Sequence, residues 1–266
     1  METLTLNNGV QMPLVGFGTW DVRGEVGKQA ILTALELGYR LIDTAQMYDN
    51  EEIVGQAVRE SGLARKEIFL TTKLYRPSAG YEKAKAGIEK SLNTLRTDYI
   101  DLLLIHEPYH NALDMYEALK EACEAGTVRA IGISNFGTKE YDRFLKYCGI
   151  VPAVNQVESH VYFPQLELKD HMAQQGTQMQ SWASFTEGRR NIFAEPVLNQ
   201  IGARYGKTAG QVGLRYLTQN GIGVIPKSVH RERMEQNLHS LDFTLEQEDL
   251  EQISRLNEGH SLFGWY

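Results

Sequence analysis

Short apolar runs alternate along the chain with longer stretches in which apolar residues recur every three or four positions. Such runs are typical of strands buried on both faces, and such stretches are typical of helices packed on one side. An Asn8-Gly9 pair between two short runs first favours a hairpin with a type I′ turn. The predicted strands are 14–18, 40–43, 68–73, 99–106, 130–134, 153–158, 178–184 and 222–227. The predicted helices are 26–37, 51–61, 81–95, 112–125, 138–146, 166–175, 208–219 and 231–239.

Eight strand–helix units within 266 residues predict a (β/α)8 TIM barrel, with residues 1–266 as a single domain. The alternative is an open doubly wound sheet, which would need a G-x-G-x-x-G turn after an early strand. The nearest stretch, Gly16–Asp21, lacks the third glycine. We also expect a long polar loop after residue 184, Asn50 as the N-cap of the second helix, and a last helix over 246–257 capped by Thr244.

Composition narrows the class of protein. A net charge of −7 argues against non-specific binding to nucleic acid or a membrane surface. Cys123 and Cys148 have no metal-binding spacing, and Pro108 breaks the helical geometry that His106 and His110 would need to hold a metal. No apolar run reaches the roughly 20 residues that span a bilayer, and no secretory signal is visible. We expect a soluble cytoplasmic protein without a metal site.

In a barrel of this kind the chemistry lies at the carboxyl ends of the strands. Each polar residue found there has an ordinary structural explanation, but together they include most groups useful for acid–base chemistry. They are Thr19 and Trp20; Asp43, with Tyr48 five residues further; Lys73; His106; Ser134 and Asn135; Gln156 and Glu158; Trp182; and Lys227 with Ser228.

Asp43, Lys73 and Tyr48 form the most informative set. A tyrosine hydroxyl, with an ordinary pKa of about 10, is too weak an acid to release its proton readily at neutral pH. A nearby ammonium group should lower that pKa, and a buried lysine needs a carboxylate partner to stay charged. His106 could orient a substrate oxygen by a hydrogen bond. The set suits carbonyl reduction if a hydride donor lies alongside.

The eighth strand ends in a candidate anion site. Lys227 and Ser228 close the strand, and Arg233 follows on the first turn or so of a short helix. A cationic strand end beside a helix N-terminus suits a phosphate, such as the 2′-phosphate of an NADP-type cofactor. A solvated basic turn is the alternative. Ser134, Asn135 and Gln156 could hold a carboxamide, and Trp182 offers a flat face for a nicotinamide ring.

Several long motifs make the chain resemble the aldo-keto reductase family over essentially its whole length. They are G-Y-R-L-I-D-T-A-x-x-Y-x-N-E-E-x-V-G at 38–55, S-L-N-T-L-R-T-D-Y-I-D-L-L-L-I-H at 91–106, G-I-S-N-F at 132–136, N-Q-V-E at 155–158 and I-P-K-S-x-x-x-x-R-x-x-x-N at 225–237. The resemblance implies a (β/α)8 barrel whose base is closed by an N-terminal hairpin. It also implies NADPH-dependent reduction of aldehydes or ketones to alcohols.

The resemblance also assigns roles to residues. It implies a catalytic tetrad of Asp43, Tyr48, Lys73 and His106, with Tyr48 as the general acid. It implies cofactor contacts at Thr19, Ser134, Asn135, Gln156, Lys227, Ser228, Arg233 and Asn237, with Trp182 at the position where the family usually stacks a tyrosine. The loop after Trp182 departs from the family pattern. The short C-terminal tail is similar to that of bacterial members such as the 2,5-diketo-gluconate and methylglyoxal reductases.

Substrate choice is less constrained by the sequence. Trp20, Tyr75, Glu107, Phe136 and Trp265 are expected to line or approach the substrate pocket, and Glu107 should disfavour anionic substrates if it faces that pocket. Two other functions stay open. One is a Schiff-base lyase with Lys73 as nucleophile, and the other is a non-catalytic nicotinamide sensor. The family resemblance favours a monomer that acts on a small-molecule carbonyl.

Overall fold

A computed structural model describes residues 2–264. The bounds of its strands and helices follow the predicted alternation. The strands are β1 (Thr3–Thr5), β2 (Gln11–Pro13), β3 (Phe17–Gly18), β4 (Leu41–Asp43), β5 (Phe69–Leu74), β6 (Ile100–Ile105), β7 (Val128–Ser134), β8 (Val154–Glu158), β9 (Gln178–Trp182) and β10 (Gly223–Val224). The helices are α1 (Gly24–Leu37), α2 (Glu51–Glu60), α3 (Tyr81–Leu95), α4 (Ala112–Glu124), α5 (Thr138–Leu145), α6 (Leu166–Ala173), α7 (Pro196–Tyr205), α8 (Ala209–Gln219), α9 (Arg231–Leu238) and α10 (Gln247–Ser254).

The strands β3 to β10 form one parallel sheet in chain order. A parallel bridge between Val15 and Val224 joins its two ends. The Gly16 amide donates to the Val224 carbonyl at 2.8 Å, and the Val224 amide donates to the Leu14 carbonyl at 2.9 Å. The sheet is therefore closed on itself. The predicted (β/α)8 barrel is confirmed, and the alternative of an open doubly wound sheet is wrong.

Gly16 and Gly18 belong to the seam of the barrel. A Cβ on Gly18 would lie 2.5 Å from the Ile225 carbonyl oxygen, and one on Gly16 would lie 2.3 Å from Leu41 Cδ2. Distances below 3 Å are not tolerated, so neither position accepts a side chain without movement of its neighbours. These glycines allow β3 to lie close to β4 and to the segment after β10. They are therefore explained by strand packing and need not belong to a G-x-G-x-x-G motif.

The N-terminal hairpin covers the amino-terminal end of the barrel. Leu6 and Met12 are buried in one apolar cluster with Leu41 and Phe69, the first residues of β4 and β5. The turn differs from the predicted type I′. Leu6 donates to the Val10 carbonyl at 2.9 Å across a three-residue loop, and only Gly9 within it has a positive φ, of 85°. A glycine at the end of a three-residue loop is a common hairpin solution.

The predicted polar loop after residue 184 is wrong in its second half, which forms α7. Pro196 stands at the first helical position, which it favours, and the Glu195 side chain accepts from the Val197 amide at 3.2 Å. Leu198 and Ile201 bury one narrow side of the helix. Because the exposed face of α7 is polar, the short apolar spacing on its buried side did not predict a helix from the sequence.

Of two predicted helix caps, that of the last helix is wrong and that of the second helix is at the predicted position. Glu246 and not Thr244 occupies the N-cap position of α10, and its amide donates to Asp249 Oδ2 at 3.2 Å. Asn50 does occupy the N-cap position of α2, but its side chain makes no capping bond. Instead the Asn50 amide donates to the Thr19 and Val22 carbonyls at 2.7 and 3.0 Å. Asn50 thus ties the loop after β4 to the end of β3.

No helix within the described residues is long and apolar enough to cross a membrane.

Candidate active site

Lys73 lies at the centre of the site. It is fully buried near the end of β5, and its ammonium donates to Asp43 Oδ1 at 2.6 Å, to the Thr44 carbonyl at 2.9 Å and to the Tyr48 hydroxyl oxygen at 3.1 Å. Burial alone would lower the pKa of Lys73, but the negative partners, Asp43 above all, raise it overall. Lys73 therefore stays cationic at neutral pH, as a buried lysine with a carboxylate partner should.

Asp43 ends β4 and is bonded on both carboxylate oxygens. Oδ1 meets Lys73, while Oδ2 accepts from Gln156 Nε2 at 2.7 Å. Burial raises the pKa of Asp43, and Lys73 and Gln156 oppose that rise by binding the ionised form. Gln156 also donates to Gln180 Oε1 at 2.7 Å, so both hydrogens of its amide are engaged. Strands β8 and β9 thus help to hold the Asp43–Lys73 pair.

Tyr48 ends a single 3₁₀ turn, Gln46–Tyr48, that follows β4. Its ring packs edge-on against Trp20, with centroids 5.0 Å apart, and against His106, with centroids 5.7 Å apart. The sequence predicts a lowered pKa for this hydroxyl, and that prediction is wrong. Burial raises the pKa of Tyr48 above its ordinary value, and the opposing effect of Lys73 is smaller. Tyr48 is therefore a phenol with its proton in place at neutral pH.

His106 follows the end of β6 and is neutral at physiological pH. Burial, helped by the charge of Lys73, lowers its pKa to about 3. Its backbone carbonyl accepts from Asn135 Nδ2 at 3.0 Å, whereas its ring Nδ1 makes no hydrogen bond to any residue between 2 and 264. A neutral imidazole beside the Tyr48 hydroxyl can orient an oxygen atom without adding a positive charge.

These groups open into one cleft of about 590 Å³. Tyr48 and His106 line it, together with aromatic and acidic side chains and with residues at or near the ends of β3, β9 and β10. The described lining consists of Gly18, Trp20, Asp21, Asp43, Met47, Tyr48, His106, Ser134, Asn135, Gln156, Trp182, Ala183, Ser184, Phe185, Glu187, Ile225, Pro226, Lys227 and Phe263. The cleft is therefore lined both by the proposed acid–base residues Tyr48 and His106 and by Lys227.

Most predicted nicotinamide contacts reach this cleft. Ser134 donates to the Gln156 carbonyl at 2.7 Å, and Asn135 Oδ1 accepts from the Trp182 indole N–H at 2.8 Å. Trp182 is thereby fixed with its ring on the cleft wall. Thr19 is fully buried and is not among the described lining residues; its hydroxyl donates to the Asp43 carbonyl at 2.8 Å.

The predicted phosphate residues lie at the start of α9. Lys227 and Arg233 are exposed, and neither forms an ion pair with a residue that the structure describes. The Ser228 hydroxyl accepts from the His230 amide at 3.1 Å just before the helix. Asn237, further along α9, is buried and bonded to the Tyr39 hydroxyl. Two unpaired cations and a helix N-terminus leave this corner able to bind an anion.

The predicted substrate residues do not all reach the cleft. Trp20 lines the cleft and is 43% exposed. Three others are outside the described lining: Tyr75 borders a neighbouring groove, Glu107 is half-buried elsewhere, and Phe136 is buried against Phe144 with ring centroids 5.2 Å apart. Trp265 falls outside the described residues.

The sequence reasoning missed several lining residues. Asp21 and Met47 adjoin Trp20 and Tyr48 in the chain, so their neighbours could have indicated them. Phe185 and Glu187 lie in the loop after β9, where no motif marks them. Burial raises the pKa of Glu187, opposed by Arg189 and Lys227. Within residues 2–264 no group of three or more His, Cys, Asp or Glu side chains is placed to hold a metal ion.

Comparison with known proteins agrees with this fold. The profile of the Aldo/keto reductase family matches residues 14–258. The chain is 41% identical to a glyoxal reductase of Bacillus subtilis over 97% of its own length and 93% of that protein. It is 40% identical to a 9,11-endoperoxide prostaglandin H2 reductase of Trypanosoma cruzi over 98% of its length and 93% of that protein.

Solved structures show the same likeness. An aldo-keto reductase enzyme from a Medee basin deep-sea metagenome library superposes with a TM-score of 0.95 at 39% identity, covering 97% of this chain and 96% of that one. The family match and these relatives support an oxidoreductase that acts on carbonyl compounds. The chain belongs to the aldo/keto reductase family.

Proposed function

We propose that this protein reduces aldehydes or ketones to alcohols with NADPH, and that Tyr48 is the general acid. The observation that carries the proposal is the position of the Tyr48 hydroxyl. Tyr48 lines the cleft, and its hydroxyl is 3.1 Å from the buried Lys73 ammonium, which is in turn 2.6 Å from Asp43. A protonated phenol backed by a fixed cation is suited to give a proton to a developing alkoxide.

The residues along the cleft fit a nicotinamide dinucleotide. Trp182 supplies a flat face, Ser134, Asn135 and Gln156 supply polar groups near it, and Lys227, Ser228 and Arg233 supply an anion site at the far end. When bound, the cofactor supplies a hydride. The carboxamide should meet the oxygen of Gln156, because both amide hydrogens of that side chain are engaged.

The protein's own residues then handle the proton. Tyr48 holds a proton at neutral pH because burial raises its pKa. Lys73 stabilises the phenolate that is left after proton transfer, and Asp43 keeps Lys73 charged. His106, neutral because its pKa is about 3, orients the carbonyl oxygen toward Tyr48. The same four residues would reverse these roles in alcohol oxidation.

Lys73 is poorly placed for the alternative of Schiff-base chemistry. It is fully buried, its ammonium makes three hydrogen bonds, and it is not among the described residues of the cleft wall. A nucleophilic lysine must be reached by the carbonyl and must lose its proton. The sensor alternative predicts cofactor binding without turnover, and a turnover assay distinguishes it directly.

A preference for NADPH over NADH follows from the anion site. Lys227 and Arg233 have no ion-pair partner among the described residues and flank the start of α9. A forked arginine and a lysine suit a phosphate monoester. From its composition we expect the protein to be cytoplasmic, and the family resemblance favours a monomer that acts on small-molecule carbonyls.

The test is turnover by the purified protein. NADPH is incubated with a panel of aldehydes, ketones and small dicarbonyls such as glyoxal, and the loss of absorbance at the nicotinamide band is followed. The alcohol is identified in the product mixture. The proposal expects reduction of at least one activated aldehyde with one alcohol formed per NADPH consumed. NADPH binding without any turnover across the panel would support the sensor instead.

A further inference from the structure

Glu158 is a buried carboxylate that the proposed mechanism does not use. It ends β8 in the N-Q-V-E motif and is 0% exposed. Burying a carboxylate is costly unless hydrogen-bond donors surround it. Two of its hydrogen-bond donors, Ser261 and Leu262, belong to the C-terminal tail.

Both oxygens of Glu158 accept from the tail. Oε1 accepts from the Leu262 amide at 2.8 Å and contacts His160 Nε2 at 3.1 Å, while Oε2 accepts from the Ser261 hydroxyl. The Ser261 oxygen in turn accepts from the Phe263 amide at 3.0 Å. Burial alone would raise the pKa of Glu158, but the bonds from His160, Ser261 and Leu262 lower it overall. The acceptor is therefore a charged carboxylate at neutral pH.

Phe263, which follows the two tail residues bonded to Glu158, lines the cleft. Its ring packs edge-on against Trp182 with centroids 5.0 Å apart, and the Arg189 guanidinium lies 5.2 Å from its centroid. Phe263 lines the same cleft as Tyr48 and His106. The Trp182 indole thus bonds Asn135 through its N–H and packs against Phe263.

The base of the tail is attached separately. The Glu258 amide donates to the Tyr162 carbonyl at 2.8 Å, and the Glu258 carboxylate meets Arg190 at 2.7 Å. The Arg190 side chain is 48% exposed and that of Glu258 is 29% exposed, so this pair is weak. The buried bonds at Glu158 are the stronger attachment, and they involve Ser261 and Leu262, within two residues of Phe263.

We propose that Glu158 is a positioning residue that fixes the tail and so holds Phe263 against Trp182 as a wall for carbonyl substrates with an aromatic or apolar substituent. The inference rests on the proposed carbonyl reduction. A substituent large enough to reach Phe263 gains contact with the aromatic wall. A small dicarbonyl that fills only the space near Tyr48 and His106 does not.

The test compares Glu158→Gln, Phe263→Ala and the double variant with the wild type on 4-nitrobenzaldehyde and glyoxal. Glu158→Gln and Phe263→Ala should each raise KM for the aromatic aldehyde by about fivefold, the scale of one lost aromatic contact. KM for glyoxal should change less than KM for the aromatic aldehyde in both variants. The double variant should be no worse than either single variant, because the two residues act through one contact.

Asp249→Asn is the matched control for loss of a buried carboxylate. Asp249 is 0% exposed and bonded to Arg204 and Tyr205, away from the cleft. It should lower the melting temperature without changing the ratio of the two KM values. Ser261→Ala removes one Glu158 bond with a smaller change in buried charge, so it replaces Glu158→Gln if that variant does not fold.

Limited chymotrypsin digestion reports on the tail without any turnover. Cleavage after Leu262 or Phe263 should be faster in Glu158→Gln and Ser261→Ala than in the wild type or Asp249→Asn. Faster cleavage supports the attachment even if no carbonyl is reduced, which separates this inference from the proposed activity. Equal cleavage rates, equal KM ratios in wild type and Glu158→Gln, or additive effects in the double variant would each overturn the positioning role.

Discussion

The Lys73 ammonium lies 3.1 Å from the Tyr48 hydroxyl oxygen, and Lys73 is fully buried whereas Tyr48 lines the cleft. This order of groups makes Lys73 an electrostatic partner of the phenol. Asp43, 2.6 Å behind the ammonium, completes the row. The row predicts distinct consequences for changes at each of its members.

Lys73→Met should impair both chemistry and stability. Without the ammonium the phenolate loses its counter-charge, so kcat should fall by about 10²–10⁴. Asp43 would be left as an unpaired buried carboxylate, at a cost of about 3–5 kcal/mol in the free energy of unfolding. Single-turnover kinetics and urea unfolding measure the two effects.

The double variant Asp43→Asn/Lys73→Met separates these effects. It should recover most of the lost stability, because the uncompensated charge is gone, and it should stay as slow as Lys73→Met. Recovery of the rate together with the stability would show that Lys73 acts only through folding.

Arg233→Ala should weaken NADPH binding selectively. Loss of one charge-assisted phosphate contact corresponds to about 1.5–3 kcal/mol, or roughly 10- to 150-fold in the dissociation constant. Affinity for NADH should stay nearly constant, since NADH lacks the 2′-phosphate. Quenching of protein fluorescence measures both affinities.

Arg231→Ala is the control on the same helix. Arg231 is exposed and already paired with Glu36 at 3.1 Å and with Glu235 at 3.4 Å. Its loss should change neither affinity by more than about twofold. Equal losses of NADPH affinity in the two variants would place the phosphate elsewhere.

The neutrality of His106 predicts a specific pH dependence of stability. Its pKa is about 3 in the folded protein and near 6.5 when unfolded, so between these values the unfolded chain binds more protons. Stability should therefore fall as the pH falls below about 6.5. From pH 6.5 to 5 the contribution of His106 should reach on the order of 2 kcal/mol.

His106→Gln removes this titration. Urea unfolding at pH 6.5 and pH 5 should show a smaller loss of stability in His106→Gln than in the wild type. Parallel losses in the two proteins would mean that His106 titrates normally in the folded state.

Asp101 should matter for stability and not for catalysis. It is fully buried in β6 and accepts from Arg65 at 2.7 Å, from Arg129 at 2.6 Å and from the Leu70 amide at 3.0 Å. Asp101→Asn leaves these donors poorly matched and should cost about 1–3 kcal/mol in the free energy of unfolding. Glu121→Gln, which weakens an exposed pair with Lys85, should cost much less than Asp101→Asn. Similar losses in both variants would contradict this role of burial.

Residues that follow directly from strand ends were predictable from the sequence. Asp43, Lys73 and His106 each come at or next to the end of a buried apolar run, and parallel strands bring such ends to one face of the barrel. The barrel itself was predictable because eight short apolar runs alternate with stretches of helical apolar spacing. The caps Asn50 and Thr244 were harder, because a side chain that can cap a helix can also bond elsewhere.

Contacts between distant segments were not predictable. Glu158 and Ser261 are separated by 103 residues, and only the fold brings them together. Like Ser134 and Asn135, Phe136 lies at or just after the end of β7. Its side chain nevertheless packs into the core against Phe144. The raised pKa of Tyr48 depends on the depth of its burial, which the sequence pattern does not express.

The central claim, that Tyr48 donates the proton, is tested most directly by Tyr48→Phe. Phenylalanine keeps the ring that packs against Trp20 and His106 and removes only the hydroxyl. NADPH consumption with an aldehyde reduced by the wild type is measured beside NADPH affinity by fluorescence quenching. We predict that turnover falls by at least about 10³ while the dissociation constant changes less than about threefold. Turnover by Tyr48→Phe at a rate near that of the wild type would contradict the claim.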